Sequence, residues 1–465
     1  MAAALMQRVT WRSTATLAGE NVLVVCAVVA STLLRAGGLT AVIEPVPLFL
    51  MKASLVAVVC QACLYFADLY DGRTLIDTPD LVIRLLGALG AASLCLAPIY
   101  LLFPGVIVGR GVFVLSALIV LVLITAWRAG LERVSQVVGP RERILIIGTG
   151  EAERELAREL LARRSDLGVE IAGFVSPDCT RPFNLAGTPG IVGELDDVPE
   201  LVARMGIDRV IVSLTDARGK LRMDSLLEMR LNGVRFDHLT SAYEEYTGKI
   251  ALENLRPSWL VFSEGFRKSW LLVAAKRGVD IGAAIVGLVA AAPLMGLAAL
   301  AIRLTSHGPV LYHQRRTGQR GQPFMVHKFR SMRVDAEGAN GPQWARKNDP
   351  RVTRVGGFLR KTRLDETPQL WNVLCGSMSL VGPRPERPEF VEELTREIPF
   401  YGQRHAVKPG LTGWAQVKFS YGASVADTME KLQYDLFYIK NLSILLDLVI
   451  IFSTVKTVIL RRGAQ

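Results

Sequence analysis

Cysteine is too sparse and too poorly grouped in this 465-residue chain to build a zinc or redox site. Of the six, Cys26, Cys60, Cys63, Cys95, Cys179 and Cys375, several lie in apolar runs, where cysteine behaves as a small hydrophobe. Cys60 and Cys63 make a C-x-x-C, but inside an apolar run and without a second pair, so packing is the expectation. There is no basic helix, no zinc spacing and no ribonucleoprotein-type aromatic motif, which makes nucleic acid the weakest of the anionic partners, and none is expected. No tyrosine has a lysine four residues on, and the glycine turn Gly148-Thr-Gly150 lacks its third glycine, where Glu153 stands. Both absences speak against a membrane-anchored nucleotide-sugar dehydratase or epimerase. No small-residue cleavage site follows Met1–Ala18, so the first apolar run is expected to stay attached as a span. No charged cluster sits in the middle of an apolar run, which removes the argument for a transporter or channel. Internal repeats and low-complexity tracts are also missing.

What the chain has in abundance is apolar and cationic side chains. Half of its residues are hydrophobic, the mean hydropathy is +0.31, and the formal net charge is +11. Such a balance points to anionic partners, either phospholipid headgroups or phosphorylated substrates. The length predicts two or three domains. Four apolar runs, near 17–37, 48–67, 82–103 and 106–127, each approach the ~20 residues that a bilayer demands and are expected to form a transmembrane bundle over 1–135. Arg8 and Arg12 precede them and Arg128, Arg133, Arg141 and Arg143 follow, so both ends are expected on the cytoplasmic face.

Residues 141–263 change character. Arg143-Ile-Leu-Ile-Ile-Gly-Thr-Gly reads as a buried strand entering a glycine turn, and Glu151–Leu161 as an amphipathic helix. Val169–Val175 and Asp208–Leu214 read as further strands, with Val198–Met205 as a helix before the second. The order predicts a small Rossmann-like, doubly wound α/β domain. Glu153 near a helix N-terminus competes with phosphate for the same dipole, so a scaffolding or regulatory role is expected over nucleotide binding.

The last region, 270–465, carries the chemistry. After Lys276-Arg-Gly-Val-Asp280 comes an apolar run, Ile281–Ile302, with Pro293 in its middle and cations on both flanks. A helix broken at Ala292–Pro293 that enters one leaflet and returns is expected, rather than a fifth crossing. Arg316, Lys328 and Arg330 are expected to project toward one polar site. Asp365 and Glu366 adjoin Arg360, Lys361 and Arg363, and a second cationic turn, Pro383-Arg384-Pro385, precedes Glu386. A carboxylate among fixed cations suits attack on a phosphate ester, because the cations screen the substrate and hold the carboxylate ionised. The tail, Tyr434–Leu460, is expected to lie on the membrane surface as amphipathic helices, a buried core helix being the competing reading.

Lys276-Arg-x-x-Asp280, the proline in the apolar helix, Lys328-Phe-Arg-Ser-Met332, Arg363-Leu-Asp-Glu-Thr-Pro-Gln-Leu-Trp-Asn-Val-Leu374, Ser379-Leu-Val-Gly-Pro-Arg-Pro385 and Lys408-Pro-Gly-Leu-Thr-Gly413 stand in order. Together they resemble the bacterial sugar transferases, monotopic polyprenyl-phosphate phosphoglycosyl transferases that begin exopolysaccharide, capsule and O-antigen assembly. The likeness covers about Lys276 to Arg462, and the regions ahead of it are similar to the large members. The resemblance implies Asp365 as nucleophile, Glu366 as its dyad partner associated with Mg2+, and Pro293 as the break of a re-entrant hairpin. Lys276, Arg277, Arg316, Lys328, Arg330, Arg360 and Arg384, with Glu386, form the expected phosphate- and substrate-binding set. It further implies a nucleotide sugar donor (UDP-glucose or UDP-galactose), undecaprenyl phosphate as acceptor, and a catalytic domain on the cytoplasmic face of the bacterial inner membrane. A homodimer is compatible with it, and an inactive nucleotide-sensing regulator of polysaccharide export is the non-enzymatic alternative. The chain departs from the family pattern at Ala292, where serine is common, and at Thr367, where a hydrophobe is common.

Overall fold

The computed structural model describes residues 11–36, 45–67, 69, 78–107, 110–138, 142–162, 164–176, 185–213, 223–252, 263, 265–334, 336, 349–419 and 424–459. The chain divides into two units, Met1–Ala242 and Tyr243–Gln465.

The first unit opens with four apolar helices: α1 (Trp11–Ala36), α2 (Val46–Phe66), α3 (Thr78–Leu102) and α4 (Arg110–Val138). α1 packs on α2 and α4, α2 on α3, and α3 on α4. Their seam mixes alanines (Ala27, Ala53, Ala57, Ala88, Ala92) with Val24, Leu64, Leu85, Leu96 and Ile124. Small residues let helices approach closely where the surroundings supply no hydrophobic drive of their own. Large apolar side chains such as Leu34, Leu86, Leu94 and Leu101 face outward. An ion pair crosses the bundle: Arg128 donates to Glu20, which is fully buried, at 2.7 Å, and to the Leu69 carbonyl at 2.8 Å. By length and composition three of these helices can cross a membrane, over Thr16–Leu34, Pro47–Phe66 and Ile83–Leu102; α4 carries a shorter apolar stretch, Val114–Gly130.

A five-stranded parallel sheet follows, β1 (Glu142–Ile147), β2 (Val169–Val175), β3 (Ile191–Gly193), β4 (Arg209–Val212) and β5 (Arg235–His238), in the order β3-β2-β1-β4-β5. Ile144–Ile147 are wholly buried, as a central strand covered on both faces requires. The doubly wound topology expected from the sequence is therefore present. Its switch point lies between β1 and β4, where Gly148-Thr149-Gly150 leads into α5 (Glu151–Ala162). A Cβ on Gly148 or Gly150 would lie 2.9 or 2.6 Å from the carboxylate oxygens of the buried Glu153. The acid is folded over the turn where a phosphate would sit in a dinucleotide site.

The second unit is built on the 36-residue α10 (Trp270–Thr305), with helices α6 to α9 lying earlier at Arg164–Leu167, Val198–Met205, Met223–Leu231 and Leu239–Thr247. α10 is also long and apolar enough to cross a membrane. It corrects one expectation: helix runs on through Pro293 rather than stopping at Ala292–Pro293. A proline deletes one backbone bond, and the strong helix formers on both sides carry the turns across it. Both arms are fastened to this same unit. Before Pro293, Asp280 accepts from the Ser379 hydroxyl at 3.1 Å and the Leu380 amide at 3.0 Å; after it, Ala298 and Ile302 pack with Phe329 and Leu359.

Beyond α10, β6 (Leu311–Thr317) and β7 (Pro323–Phe329) form an antiparallel hairpin. Their alternation puts Gln314, Arg316, Val326 and Lys328 on one face. The short strands β8 (Ser379–Val381) and β9 (Gly410–Thr412) pair in parallel. The tail folds as α15 (Val425–Asn441) and α16 (Ile444–Ile459), after α11 (Arg354–Lys361), α12 (Gln369–Cys375), α13 (Pro388–Glu397) and α14 (Trp414–Lys418). For α15 the surface expectation is overturned: Leu432, Tyr434, Leu436, Phe437, Tyr438 and Ile439 are buried, so it is a core helix. α16 buries Leu446, Asp447 and Ile450 while exposing Leu445, Leu448, Phe452 and Val455.

Candidate active site

The two carboxylates lie on a single 3-10 turn, Leu364–Glu366, that follows α11. Thr353 caps the start of α11 by accepting from the Gly356 amide at 2.9 Å. Gly356 lets that helix press on the β7 exit: a Cβ there would meet the Ser331 carbonyl oxygen at 1.9 Å. Arg363 then adopts φ 57, ψ 14, a left-handed conformation that costs an L-residue roughly 1–2 kcal/mol, and this turns the chain into the dyad. On the other side, Asn372 of α12 grips β7 like a strand partner. Its Nδ2 donates to the Met325 carbonyl at 2.7 Å, and its Oδ1 accepts from the His327 amide at 3.0 Å. Lys328 is the next residue.

Asp365 and Glu366 sit in opposite electrostatic settings. Asp365 is 8% exposed, and among the described residues nothing donates to its Oδ1. Burial and then the neighbouring Glu366 charge push its carboxyl up to about 6, against the pull of Lys328, Arg360 and Arg363. Glu366 accepts from Arg384 at 2.7 Å and Lys328 at 3.4 Å. Burial alone would raise it, but Arg384, Lys328 and Arg363 outweigh that and hold it far below the ordinary carboxylate range. The cations expected to keep the nucleophile ionised therefore bond to its neighbour. Lys328 is in turn lowered by burial and by Arg384 and Arg316, with Glu366 opposing. Two carboxylates driven apart in this way are suited to different tasks.

Of the expected binding set, the structure brings Lys328, Arg384 and Arg360 to the dyad, with Arg316 near Lys328 and Glu386 paired to Arg316. Arg316 donates to Gln314 at 2.9 Å, to the Pro385 carbonyl at 3.1 Å and to Glu386 at 3.4 Å. Arg360 donates to the Ser331 hydroxyl at 2.9 Å, and its charge is felt by Asp365. Three cations are committed to carbonyls and carboxylates of the fold instead. Lys276 bonds Asp447 at 2.6 Å and the Val381 carbonyl at 3.1 Å. Arg277 donates to the Val373 and Leu374 carbonyls at 2.6 and 2.8 Å, closing the C-terminus of α12. Arg330 donates to the Ser306 and His307 carbonyls at 2.9 and 2.6 Å, just past α10. Sequence reasoning missed Arg363 as a member of the site although it lies in the quoted basic run, and missed Asn372 within Trp-Asn-Val-Leu. It also missed Arg404 and Asp435, a buried pair at 2.9 Å behind the Arg384 turn.

Mg2+ is typically held by one or two carboxylates, with substrate phosphates and water completing its shell. Glu366 supplies one: Arg384 and Lys328 both reach its Oε1, which leaves Oε2 as the atom such an ion would meet. Among the described residues no group of three or more His, Cys, Asp or Glu offers a closed protein site. The donor set fits an ion that shares the substrate's phosphates.

Comparison with known proteins gives matches over both regions. A family model described as bacterial sugar transferase matches residues 271–461, and one described as a CoA-binding domain matches 65–229. The undecaprenyl-phosphate glucose phosphotransferase of Komagataeibacter xylinus is 34% identical over 468 residues, covering 90% of this chain and 85% of its own length. The UDP-glucose:undecaprenyl-phosphate glucose-1-phosphate transferase of Xanthomonas campestris pv. campestris is 35% identical over 339 residues, covering 70% of this chain and 68% of its own. A UDP-N-acetylgalactosamine-undecaprenyl-phosphate N-acetylgalactosaminephosphotransferase of Aeromonas hydrophila is 44% identical over 228 residues, 49% of this chain and 53% of its own.

Proposed function

The chain belongs to the bacterial sugar transferase family, and from that premise we propose that it moves glucose 1-phosphate from UDP-glucose to undecaprenyl phosphate, the step that begins an exopolysaccharide. The observation that carries the chemistry is the asymmetry of the dyad: one buried carboxylate with a bare oxygen beside another whose Oε1 accepts from two cations. Glucose is favoured because the two relatives that match over most of this chain are named for it; N-acetylgalactosamine, named for the Aeromonas protein, is the second choice.

Asp365 attacks the β-phosphorus of the donor through Oδ1, which has no hydrogen bond to break first. The bond from that phosphorus to the bridging oxygen breaks, UMP leaves, and a glucosyl-phosphoryl-Asp365 acyl phosphate remains. An oxygen of undecaprenyl phosphate then attacks the same phosphorus, the bond to Asp365 breaks, and the carboxylate is regenerated with undecaprenyl-diphospho-glucose as product. Lys328, Arg384, Arg316 and Arg360 offset charge on the phosphoryl oxygens and hold the donor in line, where orientation can contribute ~7–11 kcal/mol. Mg2+, held by Glu366 with the donor phosphates, would neutralise charge on the leaving group.

The lipid acceptor requires the site to lie at a membrane face. Support for re-entry of α10 comes from its two arms, anchored on one unit at Asp280 and at Ala298 and Ile302. A helix crossing ~30 Å of hydrocarbon between those anchors would divide them across the bilayer. Labelling from the two sides of the membrane at 306 and 140 tests this: both react from the cytoplasm if the helix returns, and on opposite faces if it crosses. For the activity, membranes are incubated with undecaprenyl phosphate and UDP-glucose, UDP-galactose or UDP-N-acetylgalactosamine in turn. UMP release and lipid product with UDP-glucose support the proposal, and no release with any donor refutes it.

A further inference from the structure

If the chain transfers a sugar phosphate as proposed, the way the Arg384 turn is held acquires a catalytic meaning. Four successive carbonyls in this turn each have a partner. The Pro383 oxygen accepts from the Gly410 amide at 2.9 Å, and the Glu386 oxygen from the Thr317 amide at 2.8 Å. The Pro385 oxygen accepts from Arg316 at 3.1 Å, and the Arg384 oxygen from Arg404 Nη2 at 3.0 Å. The last differs from the rest because Arg404 is not in the site. It is 7% exposed; the same Nη2 also donates to Asp435 Oδ2 at 2.9 Å, and Nη1 donates to the Tyr401 hydroxyl at 2.6 Å. Asp435 stands on α15, 31 residues away in sequence, and is itself buried. The Tyr401 ring lies 5.1 Å from the Arg404 guanidinium carbon.

A buried arginine–aspartate pair is weak evidence for stability, since apolar residues often do as well there. What an apolar pair could not do is donate to the Arg384 carbonyl. The backbone of Arg384 is thus tied to α15, while its side chain reaches 2.7 Å to Glu366. We infer that Arg404, with Asp435 and Tyr401 behind it, is a positioning residue for phosphoryl transfer: it fixes the Arg384 backbone so that the guanidinium stays on the dyad. A displacement of about 1 Å at such a point is enough to cost ~10²-fold in rate.

The test is a double-mutant cycle in the full chain, in membranes, with UMP release from UDP-glucose as the readout and kcat separated from KM. Arg404→Gln is expected to lower kcat about 10²-fold with little change in KM. In an Arg384→Ala background the same substitution is expected to change kcat by less than about threefold, because the group it positions is gone. Independent losses that multiply in the double variant would overturn the inference, since general destabilisation does not depend on Arg384 being present. Asp435→Asn and Tyr401→Phe, which preserve side-chain volume, run the same cycle if Arg404→Gln does not fold, with the same two outcomes. A wild-type chain that turns over no donor would instead sink the functional reading, which separates the two failures.

Discussion

A methyl group placed on Gly410 would sit 2.1 Å from the Gly382 amide nitrogen and 2.4 Å from the Thr412 carbonyl oxygen. Gly382 and Gly413 are equally crowded: a Cβ on Gly382 meets the Lys408 carbonyl at 2.4 Å, and one on Gly413 meets the Gly382 carbonyl at 2.3 Å. The backbones of two loops touch at this point, and the Gly410 amide and the Pro383 carbonyl bond across it. None of the three glycines has a positive φ, so an alanine here would be disfavoured by contact alone. Ordinary contact begins near 3.4 Å, so Gly410→Ala must push the Gly382–Glu386 turn away by about 1 Å. That turn carries Arg384, and ~1 Å at a catalytic group costs ~10²-fold, or about 2.7 kcal/mol of transition-state stabilisation. The assay is UMP release from UDP-glucose, with Gly402→Ala as the matched control because a Cβ there meets nothing within 4 Å. The control should retain wild-type kcat. Equal activity of Gly410→Ala and the control would refute the argument that the touching loops aim Arg384.

With Asp365 pushed up to about 6, the attacking carboxylate is lost as pH falls through that value, so UMP release should rise with pH through an acid limb near 6. A limb near the ordinary aspartate value of about 4 would contradict the assigned environment. Lys328→Met removes a cation that lowers Asp365 and should move the limb to higher pH. Lys276→Met leaves the buried Asp447 without its ion pair, and about 3–5 kcal/mol of stability should be lost in thermal unfolding while KM for the donor stays unchanged. A raised KM with normal stability would return Lys276 to the phosphates. Asn372→Ala strips two partners from β7, so a loss of about 1–3 kcal/mol with reduced kcat is expected; unchanged kcat would dissociate the β7 clamp from Lys328.

The charged residues of this site stand out in the sequence, and the family resemblance, not the residue pattern alone, implies their roles. Asp365, Glu366 and Arg384 could be picked out by charge and turn chemistry, and Ile144–Ile147 by a run too apolar for anything but a covered strand. Charge, however, does not tell a phosphate from a carbonyl. By charge Arg277 and Arg330 group with the phosphate cations, yet Arg277 caps the last carbonyls of α12 and Arg330 holds the two carbonyls just past α10. Nor does an amphipathic pattern say what covers it: α15 shows a stripe that a bilayer could bury, but the protein core buries it. Arg404 and Asp435 meet only in three dimensions, and no spacing announces them. The direction of the dyad's polarisation was equally hidden, since it depends on which carboxylate Arg384 and Lys328 reach.

The most direct test of the central claim is mass spectrometry of the Asp365 peptide after rapid quench, with UDP-glucose supplied and undecaprenyl phosphate withheld. The account predicts UMP in amounts matching the enzyme and a peptide heavier by one glucose phosphate, absent in Asp365→Asn. An unmodified peptide, with UMP appearing only once the lipid phosphate is added, would contradict it.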